Sequence, residues 1–227
     1  MKRRGIVLVA FLIVALVLCI GCGGTKAEDG QPTNTSTPDI KPGAKTITDE
    51  QTLVKLERMK PLLEAVALAA YDNNGQYAPD EGAFFWTAAY QYINSYGAYS
   101  ALAYLEDGYW RISTFSMQEL AQAINLNFMY VPVYDADMED IITYDEDAED
   151  YLLQPSDGEP LVQCTMAASF VENAKGFTEA TVYIKSGGDD LARVTFLLLE
   201  YPGLEEFEHP EFYYSISSII YDAAGGQ

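Results

Sequence analysis

The residue types that perform nucleophilic and zinc chemistry are scarce in this chain of 227 residues, which has one histidine and three cysteines. A Ser-His-Asp triad needs a histidine base, and His209 lies in the acidic segment 205–210, which predicts an exposed loop. A zinc site needs several histidine or cysteine ligands. Cys164 belongs to an alternating apolar run and is predicted to be a small core residue. We therefore predict no catalytic residue and no cofactor.

Acidic side chains offer a second kind of chemistry, and nine of them lie within residues 135–150. Asp135, Asp137, Glu139 and Glu146 follow part of the ligand spacing of an EF-hand calcium loop. The sixth position of such a loop needs glycine for a sharp turn and is Asp140 here. Two interpretations stay open: a calcium site with these four ligands, and a solvated acidic loop.

Aromatic side chains are concentrated in the segment 83–99, where they occur around most of a predicted helix. One interpretation is an aromatic platform for a sugar ring or a peptide, with Trp86, Tyr90 and Tyr96 as its ligand-binding residues. The other is a core helix, because a helix that is apolar on several sides is usually buried. In that case tyrosine hydroxyl groups would still reach the surface.

The N-terminus has the pattern of an export signal. Three basic residues at positions 2–4 precede an unbroken apolar run of 15 residues, which is short for a membrane-spanning helix. The run leads into Gly21 and Cys22, which resembles the lipobox of bacterial lipoproteins, although Cys19 stands where leucine is usual. The resemblance implies cleavage after Gly21 and lipidation of Cys22. The alternative is a signal anchor that stays in place.

This resemblance also predicts the domain organisation and the location. Residues 1–21 form the signal peptide, residues 22–47 the lipidated cysteine with a flexible tether, and residues 48–227 a single globular domain. The tether is rich in proline and polar residues and has too little apolar surface to order itself. Two acyl chains on Cys22 suffice for stable anchoring. We therefore expect an extracytoplasmic protein that is anchored by lipid in the cell membrane.

The net charge of −21 is unevenly distributed along the chain. Residues 61–227 hold four basic and 28 acidic side chains, a net charge of −24. Such a domain excludes nucleic acid as a partner, because lysine and arginine must neutralise the phosphates there. The same charge opposes direct adsorption to an anionic membrane. The membrane contact is therefore assigned to the lipid on Cys22.

The periodicity of the remaining chain predicts an α+β fold. Two to three N-terminal helices pack on a C-terminal antiparallel sheet of four to five curved strands. Pro61 either kinks the first helix or splits it near residue 60. Candidate capping boxes begin at Thr48 and Ser116. The predicted helices cover residues 49–71, 83–99 and 116–128, and the predicted strands cover 109–115, 162–170, 180–184, 191–201 and 212–220.

The element order over residues 48–222 is similar to the nuclear transport factor two-like, or ketosteroid-isomerase-like, cone fold. The resemblance implies a curved sheet around a long helix, in a family that includes isomerases and dehydratases with an acid in an apolar cone. Three functions stay open: a non-enzymatic surface domain that binds a ligand or partner protein, a small enzyme with a buried carboxylate, and a structural lipoprotein without a small ligand. A pocket with an isolated carboxyl group would favour the enzyme.

Overall fold

The computed structural model describes residues 43–128, 130–134, 138–156, 163–166, 170–201, 203, 207 and 210–224. This part of the chain forms three α-helices and two antiparallel sheets. The α+β class and the packing of helices against antiparallel sheet are therefore confirmed. Gly21, Cys22 and the chain as far as residue 42 lie outside the described residues.

The first helix, α1 (Glu50–Asp72), continues through Pro61 without a break, so the predicted split is wrong. Proline removes one intrahelical hydrogen bond, but the turns on both sides of Pro61 are held by packing, since Met59 and Leu62 are fully buried. The N-cap is Asp49, whose carboxylate accepts the Thr52 N–H at 2.8 Å. The helix therefore starts one residue later than the capping box at Thr48 predicts.

The second helix, α2 (Gly82–Tyr96), ends in a short 3-10 turn over Gly97–Tyr99. The third, α3 (Thr114–Ile124), is capped by Ser113, whose hydroxyl accepts the Ser116 N–H at 3.0 Å. The capping box predicted at Ser116 is therefore wrong by one turn. Its expected partner, Glu119, is directed away from the helix end and binds a different segment of the chain.

The large sheet contains the four predicted C-terminal strands and two short additions. Its order is β1-β7-β8-β9-β10, and β6 also pairs with β8, so β6 and β7 share one edge of β8. The pairing is antiparallel throughout, as the hairpin connectors predict. Strand β1 lies inside the segment assigned to the tether. The strands are β1 (Lys45–Thr46), β6 (Gln163–Met166), β7 (Val171–Glu172), β8 (Thr178–Ser186), β9 (Asp189–Glu200) and β10 (Tyr214–Ala223).

The small sheet was not predicted as a unit. Its order is β2-β3-β5-β4, and only β3 was foreseen from the sequence. Strand β4 lies in the acidic stretch 135–150 that was interpreted as a loop or a calcium site, and β5 begins at its last residue, Asp150. They form because Ile142 and Leu153 are buried on one side, while the acidic residues of the 146–149 turn stay exposed. The strands are β2 (Ala103–Glu106), β3 (Tyr109–Ser113), β4 (Ile142–Asp145) and β5 (Asp150–Leu153).

One continuous core joins the helices to both sheets. Its largest fully buried side chains include Trp86 and Phe85 of α2, Phe196 of β9, and Phe212. The inner face of the large sheet is filled by Val182, Val194 and Leu198 among others. Among the described residues, none of the helices combines the length and the apolar character needed to cross a bilayer.

Candidate functional site

Trp86 lies in the core and not on a surface. Its side chain has 0% exposure, and its indole N–H donates to the carbonyl oxygen of Pro132 at 2.7 Å. The rings of Tyr134 and Tyr151 contact it, with centroids 5.7 and 5.0 Å away. Trp86 therefore fits the core-helix interpretation, because it has no exposed surface with which to bind a ligand.

Tyr90 and Tyr96 are half-buried and do not share a surface with Trp86. The Tyr96 hydroxyl donates to the carboxylate of Glu64 on α1. Burial, together with this carboxylate, raises the pKa of Tyr96 well above its ordinary value. The hydroxyl therefore serves to join α2 to α1, and the three predicted ligand-binding residues are not assembled into one platform.

Cys164 is a poor candidate for a nucleophile. Its Sγ lies 3.7 Å from the backbone oxygen of Glu64, to which it donates. Burial, and secondarily the Glu64 carboxylate, raise the pKa of the Cys164 thiol to about 12. Because the thiolate is the reactive form, this cysteine stays protonated and inert at neutral pH.

The predicted calcium ligands are only partly within the described structure. Asp135 and Asp137 lie outside the described residues, while Glu139 and Glu146 are exposed. Within the described part of the chain, no group of three or more histidine, cysteine or acidic residues could hold a metal ion. The four predicted ligands therefore remain a prediction without a described geometry.

Glu119 and Asp150 are the buried carboxylates among the described residues, and Glu119 is the more deeply buried candidate for the enzyme hypothesis. Its side chain is on α3 and only 4% of the residue is exposed. Burial raises its pKa, although two backbone N–H donors oppose the shift. These donors are the amides of Glu211 and Phe212, at 2.5 and 3.2 Å from Oε1. The carboxylate is therefore engaged in holding the segment that leads into β10.

Two surface cavities lie away from this carboxylate. The larger, of about 350 Å³, is lined by the apolar side chains of Phe177, Leu197 and Ile220 beside the β7–β8 hairpin. The smaller, of about 200 Å³, lies where α1 meets α2 and is lined by Asp72 and Asn73 among others. Neither is lined by Glu119, so neither supplies it with a substrate pocket.

The outer face of the small sheet presents two exposed tyrosine side chains. Because alternate residues share a face and Ala103 and Ile112 are buried, their neighbours point outward. Tyr104 and Tyr109 are 53% and 46% exposed there, and Leu105, at the sheet edge, is 58% exposed. We define the tyrosine face as Tyr104, Glu106, Tyr109, Arg111, Asp145 and Asp150.

Arg111 lies at the centre of the tyrosine face. Its Nε is 2.9 Å from Glu106 Oε2, and its Nη1 is 3.5 Å from Asp145 and 3.6 Å from Asp150. The Tyr104 hydroxyl donates to Asp150 at 3.3 Å. One guanidinium on β3 therefore contacts carboxylates on the three other strands of the small sheet and is outnumbered by them. The face therefore keeps an excess of negative charge.

Sequence reasoning missed the tyrosine face because it missed β2. The signal was present: Asp107-Gly108 is a typical two-residue hairpin turn. Both residues have positive φ, 51° and 84°, as a type I′ turn requires. Reading this pair as a turn would have predicted a hairpin with Tyr104 and Tyr109 close to its end.

Comparison with known proteins adds no relative. No protein-family model, no curated protein and no solved structure matches the chain. The functional assignment therefore depends on two features of its own residues. These are the predicted signal peptide of residues 1–21, which precedes Cys22, and the tyrosine face of the small sheet.

Proposed function

We propose that the protein is a lipid-anchored, extracytoplasmic binding protein whose acidic domain contacts a partner through the tyrosine face. The leader and Cys22 supply the anchor, by their resemblance to a lipobox. The polar segment that follows Cys22 provides the distance between membrane and domain. The partner is held at the cell surface, and no covalent chemistry takes place.

The observation that carries this proposal is the exposure of Tyr104 and Tyr109 on a rigid strand pair around Arg111. Tyrosine and arginine are the residues enriched where proteins bind each other. An exposed tyrosine offers a large contact area and loses little conformational entropy on binding. A sheet surface of this composition is suited to recognition, because the ion pairs of Arg111 position its carboxylates and Asp150 in turn accepts a hydrogen bond from Tyr104.

A binding role also fits the state of the residues that catalysis would use. The Glu119 carboxylate is occupied by two backbone amides. Burial keeps the Cys164 thiol protonated. Two alternatives remain: a small enzyme that uses Glu119, and a structural lipoprotein without a ligand. Both predict that substituting Tyr104 and Tyr109 leaves complex formation unchanged.

The test compares complexes extracted from the producing cells in mild detergent and separated by native electrophoresis. We expect the wild-type protein to migrate in a complex and the variant Tyr104→Ser/Tyr109→Ser to migrate alone. Tyr130→Ser is the matched control, since Tyr130 is 65% exposed and lies outside the tyrosine face. A complex that survives the double substitution would contradict the proposed function.

A further inference from the structure

We propose that the tyrosine face binds a basic segment of a partner polypeptide, so that Lys or Arg side chains lie against the Tyr104 and Tyr109 rings. The inference rests on the proposed function and supplies what that function leaves open, the chemistry of the partner. The exposed tyrosine rings form the binding surface. The negative charge around them indicates the chemistry of the partner.

The aromatic part of the face suits cationic side chains. Tyr104 and Tyr109 each expose about half of their surface, so one short hairpin presents two aromatic rings on the same side of the sheet. A lysine or arginine side chain can cover such rings with its apolar stem while its charge lies over the ring face. The chain uses this contact internally, where Lys55 Nζ lies 5.0 Å from the Tyr213 ring centroid.

The charged part of the face has the opposite sign to such a partner. Glu106, Asp145 and Asp150 surround the single guanidinium of Arg111, so the cluster carries a net charge of −2. Asp107, at the exposed tip of the hairpin, adds a further carboxylate. Basic side chains of a partner would pair with the exposed carboxylates of Glu106 and Asp107, whereas the buried Asp150 contributes only its charge. The −24 charge of residues 61–227 would attract them from a distance.

The same charge argues against the other occupants of an exposed sheet face. A second copy of this chain carries the same strongly negative charge and is repelled. Nucleic acid and an anionic membrane are repelled for the same reason. A neutral glycan would use the tyrosine rings and gain nothing from the carboxylates. Removing the charges of the face would therefore leave glycan binding unchanged and weaken the binding of a basic segment.

The probe is a fluorescent peptide of alternating lysine and threonine residues, titrated with the full-length protein in detergent micelles. Fluorescence anisotropy gives the Kd. The comparison peptide has the same sequence with every lysine acetylated, which removes the charge and keeps the length. We expect the acetylated peptide to bind at least about tenfold more weakly. Equal affinities would overturn the proposal.

A pair of charge-matched variants locates the binding surface. Glu106→Gln/Asp107→Asn removes two charges from the hairpin, and Asp189→Asn/Asp190→Asn removes two exposed charges from the start of β9. Each pair includes one ion-paired carboxylate, Glu106 with Arg111 and Asp190 with Lys185 at 3.1 Å. We expect the lysine peptide to bind at least about tenfold more weakly to the first variant, with little change for the second.

Equal weakening by both variants would show attraction to total charge alone and would overturn the assignment to this face. The melting temperature of each variant shows whether it is folded, and Asn at position 107 suits the positive φ of the turn. Failure here is distinct from failure of the proposed function. In that case Tyr104→Ser/Tyr109→Ser would still abolish the complex from cells, and the partner would be non-basic.

Discussion

The carboxylate of Glu119 and the backbone amide of Phe212 lie 3.2 Å apart and join α3 to the segment that enters β10. The Glu211 amide donates to the same oxygen, so two amides of an irregular segment are satisfied by one side chain. Phe212 is fully buried beside Tyr92, with ring centroids 5.7 Å apart. Glu119 therefore determines where the last strand of the large sheet begins.

Removing this carboxylate should destabilise the domain. Glu119→Ala leaves the amides of Glu211 and Phe212 without their acceptor, at a cost of about 1–3 kcal/mol. The free energy of unfolding in urea measures the loss. Glu139→Ala removes an exposed carboxylate and should change stability by less than about 0.5 kcal/mol. Equal losses in both variants would show that the Glu119 contacts add no stability.

The same carboxylate gives the stability a pH dependence of known sign. Burial raises the pKa of Glu119 above its ordinary value of 4.5, so the folded state takes up this proton before the unfolded state does. Stability therefore increases as the pH falls through the raised pKa towards 4.5, and this contribution is constant below that value. Glu119→Gln removes it, so wild-type stability relative to the variant should rise on acidification. A fall would mean that the amide donors outweigh burial.

Gly75 follows the end of α1 and meets the ring of Tyr221. A Cβ at Gly75 would lie 2.5 Å from Tyr221 Cδ1, whereas a Cβ at Gly176 would have no neighbour within 4 Å. Their φ angles, +82° and +81°, are alike, so alanine should suffer the same backbone strain at both sites. Gly75→Ala should therefore lose about 1–3 kcal/mol more than Gly176→Ala in urea unfolding. Equal losses would place Tyr221 away from Gly75.

The burial of Trp86 can be measured by fluorescence, because the chain has two tryptophans. In the variant Trp110→Phe only Trp86 emits, and we expect blue-shifted emission that iodide does not quench. In Trp86→Phe the remaining Trp110 is half-buried and should be quenched to a greater extent. Strong iodide quenching in Trp110→Phe would restore Trp86 as a residue of an exposed platform.

The anchor assigned to Cys22 makes a separate prediction. Cys22→Ala removes the acceptor of the lipid, and the remaining acidic domain is repelled by an anionic bilayer. In detergent phase separation, we expect the wild-type protein in the detergent phase and the variant in the aqueous phase. Unchanged partitioning would favour the alternative of a signal anchor that stays in place.

Sequence periodicity predicted the longer helices and strands, in which one side faces the core. Strand β8 was found from its alternating residues, and β9 from the long run 191–201, which is apolar on both faces. Strands β2, β4 and β5 have four residues each, too few for a pattern. In β4 and β5 the acidic residues of the outer face also concealed the apolar inner face.

The site was harder to predict than the fold, because exposure depends on tertiary position. Trp86 and Tyr104 are both aromatic, yet Trp86 is buried against Tyr134 and Tyr151, whereas Tyr104 is exposed on an edge strand. The caps show the same limit. Ser113 and Ser116 both satisfy local rules, and the long-range bonds of Glu119 exclude the box at Ser116.

The most direct measurement is site-specific photocrosslinking in the producing cells. Benzoylphenylalanine is placed at position 104 or 109 of the tyrosine face, or at position 130 or 133, which are also exposed but lie outside that face. Binding through the tyrosine face predicts a discrete adduct from positions 104 and 109 and none from positions 130 and 133. Adducts from positions 130 and 133 alone, or from all four equally, would contradict it.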